Sequence, residues 1–208
     1  MLDIYLHAFV SLFVVINPIA LVPVFLSLSQ NMTAIERNKA AYKACCIAAI
    51  VLLIFAFGGK YFLGVMGISQ PAFQIAGGFL LMIAAVEMVI AYHTGMTSTT
   101  SHEEKEAKIS NDISVFPLAI PLISGPGALT TVVLLMQKTE KTSIFEELIL
   151  VGIILVVMGI TFLFLRASPF LLKILGVTGS NVGTRIFGII LTALATQFII
   201  SGIKSSFF

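Results

Sequence analysis

Long apolar stretches separated by short polar segments dominate the pattern of this chain. Six of these stretches approach the roughly 20 residues that a helix needs to cross the hydrocarbon layer of a membrane. The pattern therefore predicts an all-α membrane protein with six transmembrane helices. The predicted spans are about Tyr5–Ser29, Ala40–Phe62, Pro71–Tyr92, Ile113–Met136, Ile144–Leu165 and Val182–Ile203.

One polar segment divides the chain into two halves of similar size. His93–Asp112 is rich in Ser, Thr, Glu and Lys, which predicts a solvated linker. On either side of it, residues 1–92 and 113–208 each contain three predicted spans. The expected organisation is therefore a first three-helix unit, a polar linker and a second three-helix unit.

The two halves also resemble each other in sequence. A shift of 108 residues places Pro18 on Pro126 and Ala20 on Ala128, and later landmarks follow at shifts of 109 to 111. Because three spans is an odd number, the second half must enter the membrane from the opposite side. The prediction is a pair of inverted three-helix repeats, as in many secondary transporters.

Two helix-breaking motifs occupy corresponding positions in these halves. Proline lacks an N–H group and clashes with the preceding turn, so the first and fourth helices are expected to be broken. In a membrane such breaks are tolerated where the freed backbone groups line a cavity, and paired breaks are typical of transport sites. The alternative is a pair of kinks that serve packing alone. The candidate substrate-binding residues are Asn17, Pro18, Ile19, Ala20, Ser124, Gly125, Pro126, Gly127 and Thr130.

Four further polar residues are candidates for ion coupling or gating. Glu87 is the acidic residue placed deep in a span, where a charged carboxylate is costly, so it could exchange protons or instead lie at headgroup level. Gln197 lies in the matching helix and could equally be a polar contact between helices. Gln74 and Arg185 lie near the starts of the third and sixth spans. Arg185 could bind a carboxylate, gate an entrance or anchor at the membrane surface.

Composition supports a membrane protein and excludes several other classes. The chain has 208 residues, of which 58% are hydrophobic and 11% charged, and its net charge of +2 gives no basic patch for nucleic acid. The three histidines lack metal-ligand spacing, and no phosphate-binding loop of the Walker type occurs. The adjacent Cys45 and Cys46 are interpreted as packing residues. We therefore expect no metal site, no cofactor and no enzymatic activity.

The distribution of positive charge predicts an orientation, because cytoplasmic loops carry an excess of Lys and Arg. Placing both termini outside the inner (cytoplasmic) membrane puts eight of the twelve basic residues on the cytoplasmic side. These eight are Arg37, Lys39, Lys43, Lys105, Lys108, Arg166, Lys173 and Arg185, against Lys60, Lys138, Lys141 and Lys204 outside.

Three motifs resemble those of the MarC family of bacterial and archaeal membrane proteins. Residues 16–25 (INPIALVPVF) are similar to its first-helix motif, and residues 123–130 (ISGPGALT) to its fourth-helix motif. Residues 185–188 (RIFG), followed by Ala193, Ala195, Gln197 and Gly202, are similar to its last-helix signature. The resemblance implies six membrane helices and the movement of small neutral amino acids such as glycine or alanine. Ala20 stands where many members have glycine, which would narrow the pocket.

The resulting hypothesis is a secondary transporter of small neutral amino acids, coupled to protons or sodium, that works by alternating access. The expected partners are the amino acid, the lipid bilayer and a coupling ion, and a homo-oligomer is left open. Two alternatives remain at this point: a membrane scaffold that transports nothing, and an exporter of another small solute.

Overall fold

The computed structural model describes residues 2–90, 112–139 and 144–207, and every element in these ranges is a helix. The predicted linker lies outside the described residues, apart from Asp112 at its end. The eight helices of the described ranges are α1 (Leu2–Ile16), α2 (Pro18–Leu28), α3 (Ala34–Val65), α4 (Gln70–Ile90), α5 (Ser114–Ile123), α6 (Pro126–Thr139), α7 (Ile144–Arg166) and α8 (Ser168–Phe207).

The helices are long and apolar enough for an integral, multi-pass membrane protein. Five candidate spans correspond to α1 with α2, then α3, α4, α7 and the larger part of α8. α5 and α6 are bent by 59° relative to each other and make a sixth candidate if the bent pair counts as one span. Large apolar side chains such as Ile54 and Phe57 remain 62% and 55% exposed. In a membrane, lipid covers such side chains.

The helix boundaries have local causes. Thr33 and Glu36 form a capping box at the start of α3, in which each side chain bonds to the other residue's backbone N–H. Gly67 turns the chain after α3 with a φ of 68°, a conformation that glycine adopts readily. α8 begins well before the predicted Val182, and it is interrupted at Gly176, where φ is 62°. The chain thus turns at Gly67 between α3 and α4, whereas the residues on both sides of Gly176 are helical.

Helix pairing places the two long helices of the first half against the two long helices of the second half. α3 packs against α7, and α4 packs against α8. The broken helices lie between these pairs: α2 contacts α7 and α8, while α6 contacts α3 and α4. The largest apolar cluster of the described residues is centred on Leu12, Phe25, Leu52 and Ile154, all fully buried.

The α4–α8 contact depends on residues without side chains. A Cβ atom added to Gly78 would lie 2.6 Å from Ile199 Cγ1 and 3.0 Å from the Ala195 carbonyl oxygen. A Cβ atom on Gly188 would lie 3.2 Å from the Ala85 carbonyl oxygen. Small residues let two membrane helices approach this closely, which increases their packing and the weak contacts between backbones.

Gly78→Leu is therefore expected to destabilise the protein, because the larger side chain forces α4 away from α8. Overpacking of this kind typically costs about 1–3 kcal/mol. The matched control is Gly152→Leu in α7, where an added Cβ has no neighbour within 4 Å. In thermal denaturation in detergent, the midpoint should fall clearly for Gly78→Leu and change little for Gly152→Leu. Equal midpoints for the two variants would contradict the tight α4–α8 contact.

An ion pair joins α3 to the segment just before α5. Lys43 pairs with Asp112, whose Oδ1 also accepts a hydrogen bond of 3.0 Å from the Ser114 N–H. Hydrogen bonds from Lys43 and Ser114 hold the pKa of Asp112 below its ordinary value. The two side chains are 53% and 43% exposed, so water screens their interaction.

We expect Asp112→Asn to lower the free energy of unfolding by no more than about 1 kcal/mol. The pKa of Asp112 is lower in the folded protein than in the unfolded chain, where it is about 3.9. The stabilisation by the ion pair is therefore fully present above the unfolded pKa and disappears as pH falls through the folded pKa. Denaturation midpoints of wild type and Asp112→Asn should accordingly converge in acid. A constant difference at all pH values would show that the effect has another origin.

Candidate functional site

The first helix break is centred on Asn17, between α1 and α2. Asn17 has φ 47° and ψ 69°, a left-handed conformation that asparagine tolerates better than most residues. Its Oδ1 accepts a hydrogen bond of 3.3 Å from the Ala20 N–H and so caps α2. Pro18 then begins α2, at a position where its missing N–H has no consequence. The local sequence thus both ends one helix and starts the next.

The second break, at Ser124 and Gly125, separates α5 from α6. α5 is an irregular helix in which Phe116 and Ile120 have extended backbone angles. A Cβ atom on Gly125 would lie 2.6 Å from the Pro121 carbonyl oxygen, so glycine allows this close approach of backbone. The N–H groups at the start of a helix have no acceptor within it. Pro126 has no N–H, so at the start of α6 the first N–H group without an acceptor in the helix is that of Gly127.

Both breaks line one cavity of about 160 Å³. Asn17 and Ala20 reach it from the first break, and Gly125, Pro126 and Gly127 reach it from the second. The remaining wall comes from α4 and α8. An apolar cavity of about 150 Å³ in another protein accommodates benzene, so a solute of about six heavy atoms fits a space of this size. We call this space the break cavity.

The break cavity has a mixed polar and charged lining within an otherwise apolar protein. Glu87 of α4 is 5% exposed, and Arg185 of α8 has an exposed side chain. The other polar side chains in the lining are those of Asn17, Asn181 and Thr184. Asn17 Nδ2 also lies 3.9 Å from Met88 Sδ, a weak hydrogen bond that connects the first break to α4. A positive group, a carboxyl group and neutral amides thus surround one small space.

Seven of the thirteen residues singled out from the sequence line this cavity. They come from all four walls and include both charged candidates. They are Asn17, Ala20, Glu87, Gly125, Pro126, Gly127 and Arg185.

The other six residues do not line the break cavity. Three of them donate side-chain hydrogen bonds elsewhere, and a fourth lines another cavity. The Ser124 hydroxyl donates to the Ala119 carbonyl at 2.8 Å, and the Thr130 hydroxyl donates to the Pro126 carbonyl at 2.9 Å. Ile19 lines a separate, much smaller cavity. Gln197 is exposed and donates to Ser201 Oγ at 3.1 Å.

The remaining two, Pro18 and Gln74, are buried. Thr130 has a second contact, because its methyl group occupies the space that a Cβ on Gly77 would need. Ser124 and Thr130 thus bond to the backbone beside the second break. Substrate contact by any of the six stays a prediction from the sequence.

Sequence reasoning missed two polar lining residues, Asn181 and Thr184. Both lie on α8 just before Arg185, and the spacing 181, 184 and 185 places the three side chains on one face of a helix. The prediction that the sixth span begins at Val182 put this stretch at its edge. The i, i+3, i+4 spacing of polar residues is the signal that could have identified this face.

Comparisons with known proteins agree with the membrane fold. The chain matches the family described as MarC family integral membrane protein over residues 2–207. It is 37% identical to the UPF0056 membrane protein YvbG of Bacillus subtilis, over 100% of this chain and 97% of that protein. It is also 37% identical to the UPF0056 membrane protein YhcE of Escherichia coli, over 98% of this chain and 94% of that protein.

A UPF0056 membrane protein of Buchnera aphidicola is 34% identical over 98% of this chain and 94% of its own length. No solved structure matches the chain. The family match and these relatives each cover nearly the whole chain, and the helices described above fit a multi-pass membrane protein. The chain therefore belongs to the MarC family of integral membrane proteins.

Proposed function

We propose that the protein is a secondary transporter of small neutral amino acids of the glycine and alanine class. The observation that carries this proposal is the break cavity, in which two interrupted helices and a mixed set of charged and amide side chains enclose about 160 Å³. A scaffold that transports nothing has no need of a polar cavity inside its helix assembly. The cavity therefore favours the movement of a small polar solute.

The charges of the lining suit a zwitterion. The carboxylate of an amino acid would face the start of α6, where the Gly127 N–H and the positive end of the helix dipole favour an anion. The Arg185 guanidinium would approach the same carboxylate as a charged donor. The ammonium group would face Glu87 and the Asn17 amide oxygen. A solute with one positive and one negative group matches this arrangement better than a simple cation or anion.

The size of the cavity limits the side chain of the substrate. Glycine and alanine have five and six heavy atoms, which fits the estimate of about six for a space of this volume. Ala20 and Ala84 both line the cavity, and any larger residue at these positions would reduce it further. The preference should accordingly fall from alanine towards valine and leucine.

We also propose that the chain is built from two inverted repeats that rock against each other to give alternating access. If α1 to α4 correspond to α5 to α8 in order, three pairs of helix contacts support this relation. The α1–α7 contact matches the α5–α3 contact, and the α2–α8 contact matches the α6–α4 contact. The α2–α7 contact matches the α6–α3 contact. In each of these three, the equivalent helices exchange roles, as expected for a twofold relation. In such proteins the substrate lies at the repeat interface, beside half-helices.

We propose Glu87 as the residue that couples transport to an ion. Glu87 is the acidic residue of the break cavity, and a buried carboxyl group in a membrane protein commonly takes part in proton transfer or ion binding. A proton or a sodium ion could balance its charge while the substrate moves. The proposed location is the inner (cytoplasmic) membrane, with both termini outside.

The proposal is tested by counterflow of radiolabelled glycine and alanine in proteoliposomes containing the purified protein. Accumulation should require preloaded unlabelled substrate and should be inhibited by excess alanine but far less by leucine. Repeating the assay with imposed proton and sodium gradients identifies the coupling ion. If neither amino acid accumulates but another small solute binds the purified protein, the exporter alternative replaces this proposal. If no solute binds, the scaffold alternative is favoured.

A further inference from the structure

A second cavity, of about 210 Å³, lies where the start of α3 meets the end of α7 and the start of α8. It shares no lining residue with the break cavity. Because two arginines contribute to its wall, we call it the arginine cavity. The lining residues are Ala34, Arg37, Asn38, Leu165, Arg166 and Pro169.

The arginine cavity contains positive charge without a neutralising carboxylate in its lining. Arg37 comes from α3 and Arg166 from the end of α7, so two helices distant in sequence each contribute an arginine to its wall. The ion pair recorded among the described residues joins Lys43 to Asp112 and involves neither arginine. Two positive side chains held together in this way favour an anion between them.

Hydrogen bonding within the cavity is incomplete. Arg37 Nη2 donates to the Met32 carbonyl at 3.4 Å, but Arg37 Nε is buried without a hydrogen-bond partner in the described part of the chain. Asn38 Oδ1 is also buried without a hydrogen-bond partner among the described residues. The Asn38 amide can present either its oxygen or its Nδ2 donors to a ligand. A buried donor without an acceptor is costly, so an acceptor other than the described residues is expected there.

A phosphate group fits these donors. The planar guanidinium presents parallel N–H groups that match two phosphate oxygens, which is why arginine is the common partner of phosphate. The cavity volume is several times the roughly 30 Å³ that one water occupies, so a tetrahedral anion fits with water beside it.

The surroundings of the cavity indicate that a lipid carries this phosphate. Exposed apolar side chains lie within three residues of the lining on all three helices: Ile35 is 71% exposed, Leu163 58% and Phe170 65%. These helices end here, and α3 and α7 are candidate spans, so the arginine cavity lies where the headgroups of one leaflet would be. Acyl chains could then cover the apolar side chains while the headgroup enters the cavity.

We infer that the arginine cavity binds the phosphate group of an anionic phospholipid. This inference is independent of the transported substrate, because no residue of the break cavity takes part in it. Bound lipid would join α3 to the α7–α8 connection and so stabilise the contact between the two halves of the chain.

The test measures thermal stability and bound lipid for the protein purified in a zwitterionic detergent. Adding phosphatidylglycerol at about 100 times its dissociation constant should raise the denaturation midpoint by about 5–10 °C, and native mass spectrometry should show retained lipid. Phosphatidylcholine should give a much smaller shift. Inorganic phosphate distinguishes the source of the anion: a shift with phosphate equal to that with lipid would assign the cavity to a soluble anion.

The variant Arg37→Gln/Arg166→Gln should bind phosphatidylglycerol about tenfold more weakly or worse. The matched control Lys39→Gln/Lys173→Gln removes the same charge from exposed positions outside the lining and should keep the lipid effect. If the double arginine variant does not fold, Arg166→Gln alone removes an exposed side chain and should still weaken binding. The inference would be overturned if the arginine and lysine double variants lost lipid binding equally. It would also be overturned if neither lipid nor phosphate raised the denaturation midpoint of the wild type.

Discussion

Ala84→Leu is expected to reduce glycine and alanine transport at least about tenfold while leaving the protein folded. Ala84 is a half-buried residue of α4 that lines the break cavity, and leucine would add three carbon atoms to a space of about 160 Å³. Filling a cavity does not remove a packing contact, so the denaturation midpoint should stay the same or rise. Counterflow and thermal denaturation on the same preparation measure the two effects.

The matched control for this variant is Ala193→Leu. Ala193 lies on α8, is exposed and does not line the cavity, so its replacement adds the same carbon atoms outside the site. Transport should be retained in Ala193→Leu. Full transport by Ala84→Leu would mean that the substrate does not enter the break cavity.

Asn17 is expected to give the second large effect, and two substitutions separate its backbone role from its side-chain role. Asn17→Gly keeps easy access to φ 47° but removes the cap of α2, which costs only a few tenths of a kcal/mol. Asn17→Ala loses the cap and must also adopt a left-handed conformation, which together cost roughly 1–3 kcal/mol. Thermal stability should therefore fall clearly in Asn17→Ala and slightly in Asn17→Gly.

Transport should fall strongly in both variants, because each lacks the amide that we place beside the substrate ammonium. Ser29→Gly provides a control on the same helix: it loses the 2.7 Å hydrogen bond to the Phe25 carbonyl but lies outside the break cavity. Normal transport in Asn17→Gly would limit the role of Asn17 to forming the break.

The breaks themselves were predictable from the sequence because proline and glycine act locally. Pro18 removes an N–H wherever it stands in a helix, and Asn17 is one of the few residues that accept the left-handed turn before it. Pro126 likewise has no N–H, and the glycine at 125 allows the close approach to the Pro121 carbonyl oxygen. Long apolar runs likewise predicted helices, since their length alone identifies candidate spans.

The composition of the cavity wall was less accessible, because it depends on how distant helices rotate and pack. The sequence identified Glu87 and Arg185 as candidates for coupling or gating but did not place them in one space with both breaks. The predicted sixth span began at Val182, so Asn181 fell just outside it. In the structure this stretch is helical, and the Thr184 hydroxyl donates to the Ser180 carbonyl at 2.9 Å within it.

The irregular course of α5 was also missed. The sequence predicted a single span over residues 113–136 with one break at Pro126, but Pro117 and Pro121 interrupt the regular pattern before that point. Hydrogen bonds here reach back five residues, as from the Ser124 N–H to the Ala119 carbonyl at 2.9 Å. Whether prolines at this spacing bend or reshape a helix depends on the neighbours that satisfy the freed carbonyls, which the sequence does not specify.

The central claim is that the space between the two breaks binds a small amino acid, and substrate protection of a single cysteine tests it most directly. Ala20→Cys would be made in a protein whose Cys45 and Cys46 are replaced by alanine, and its labelling by a small thiol reagent followed over time. Ala20 lines the break cavity, so alanine or glycine should slow labelling several-fold, whereas leucine should not. Labelling at the same rate with and without these amino acids would contradict the account.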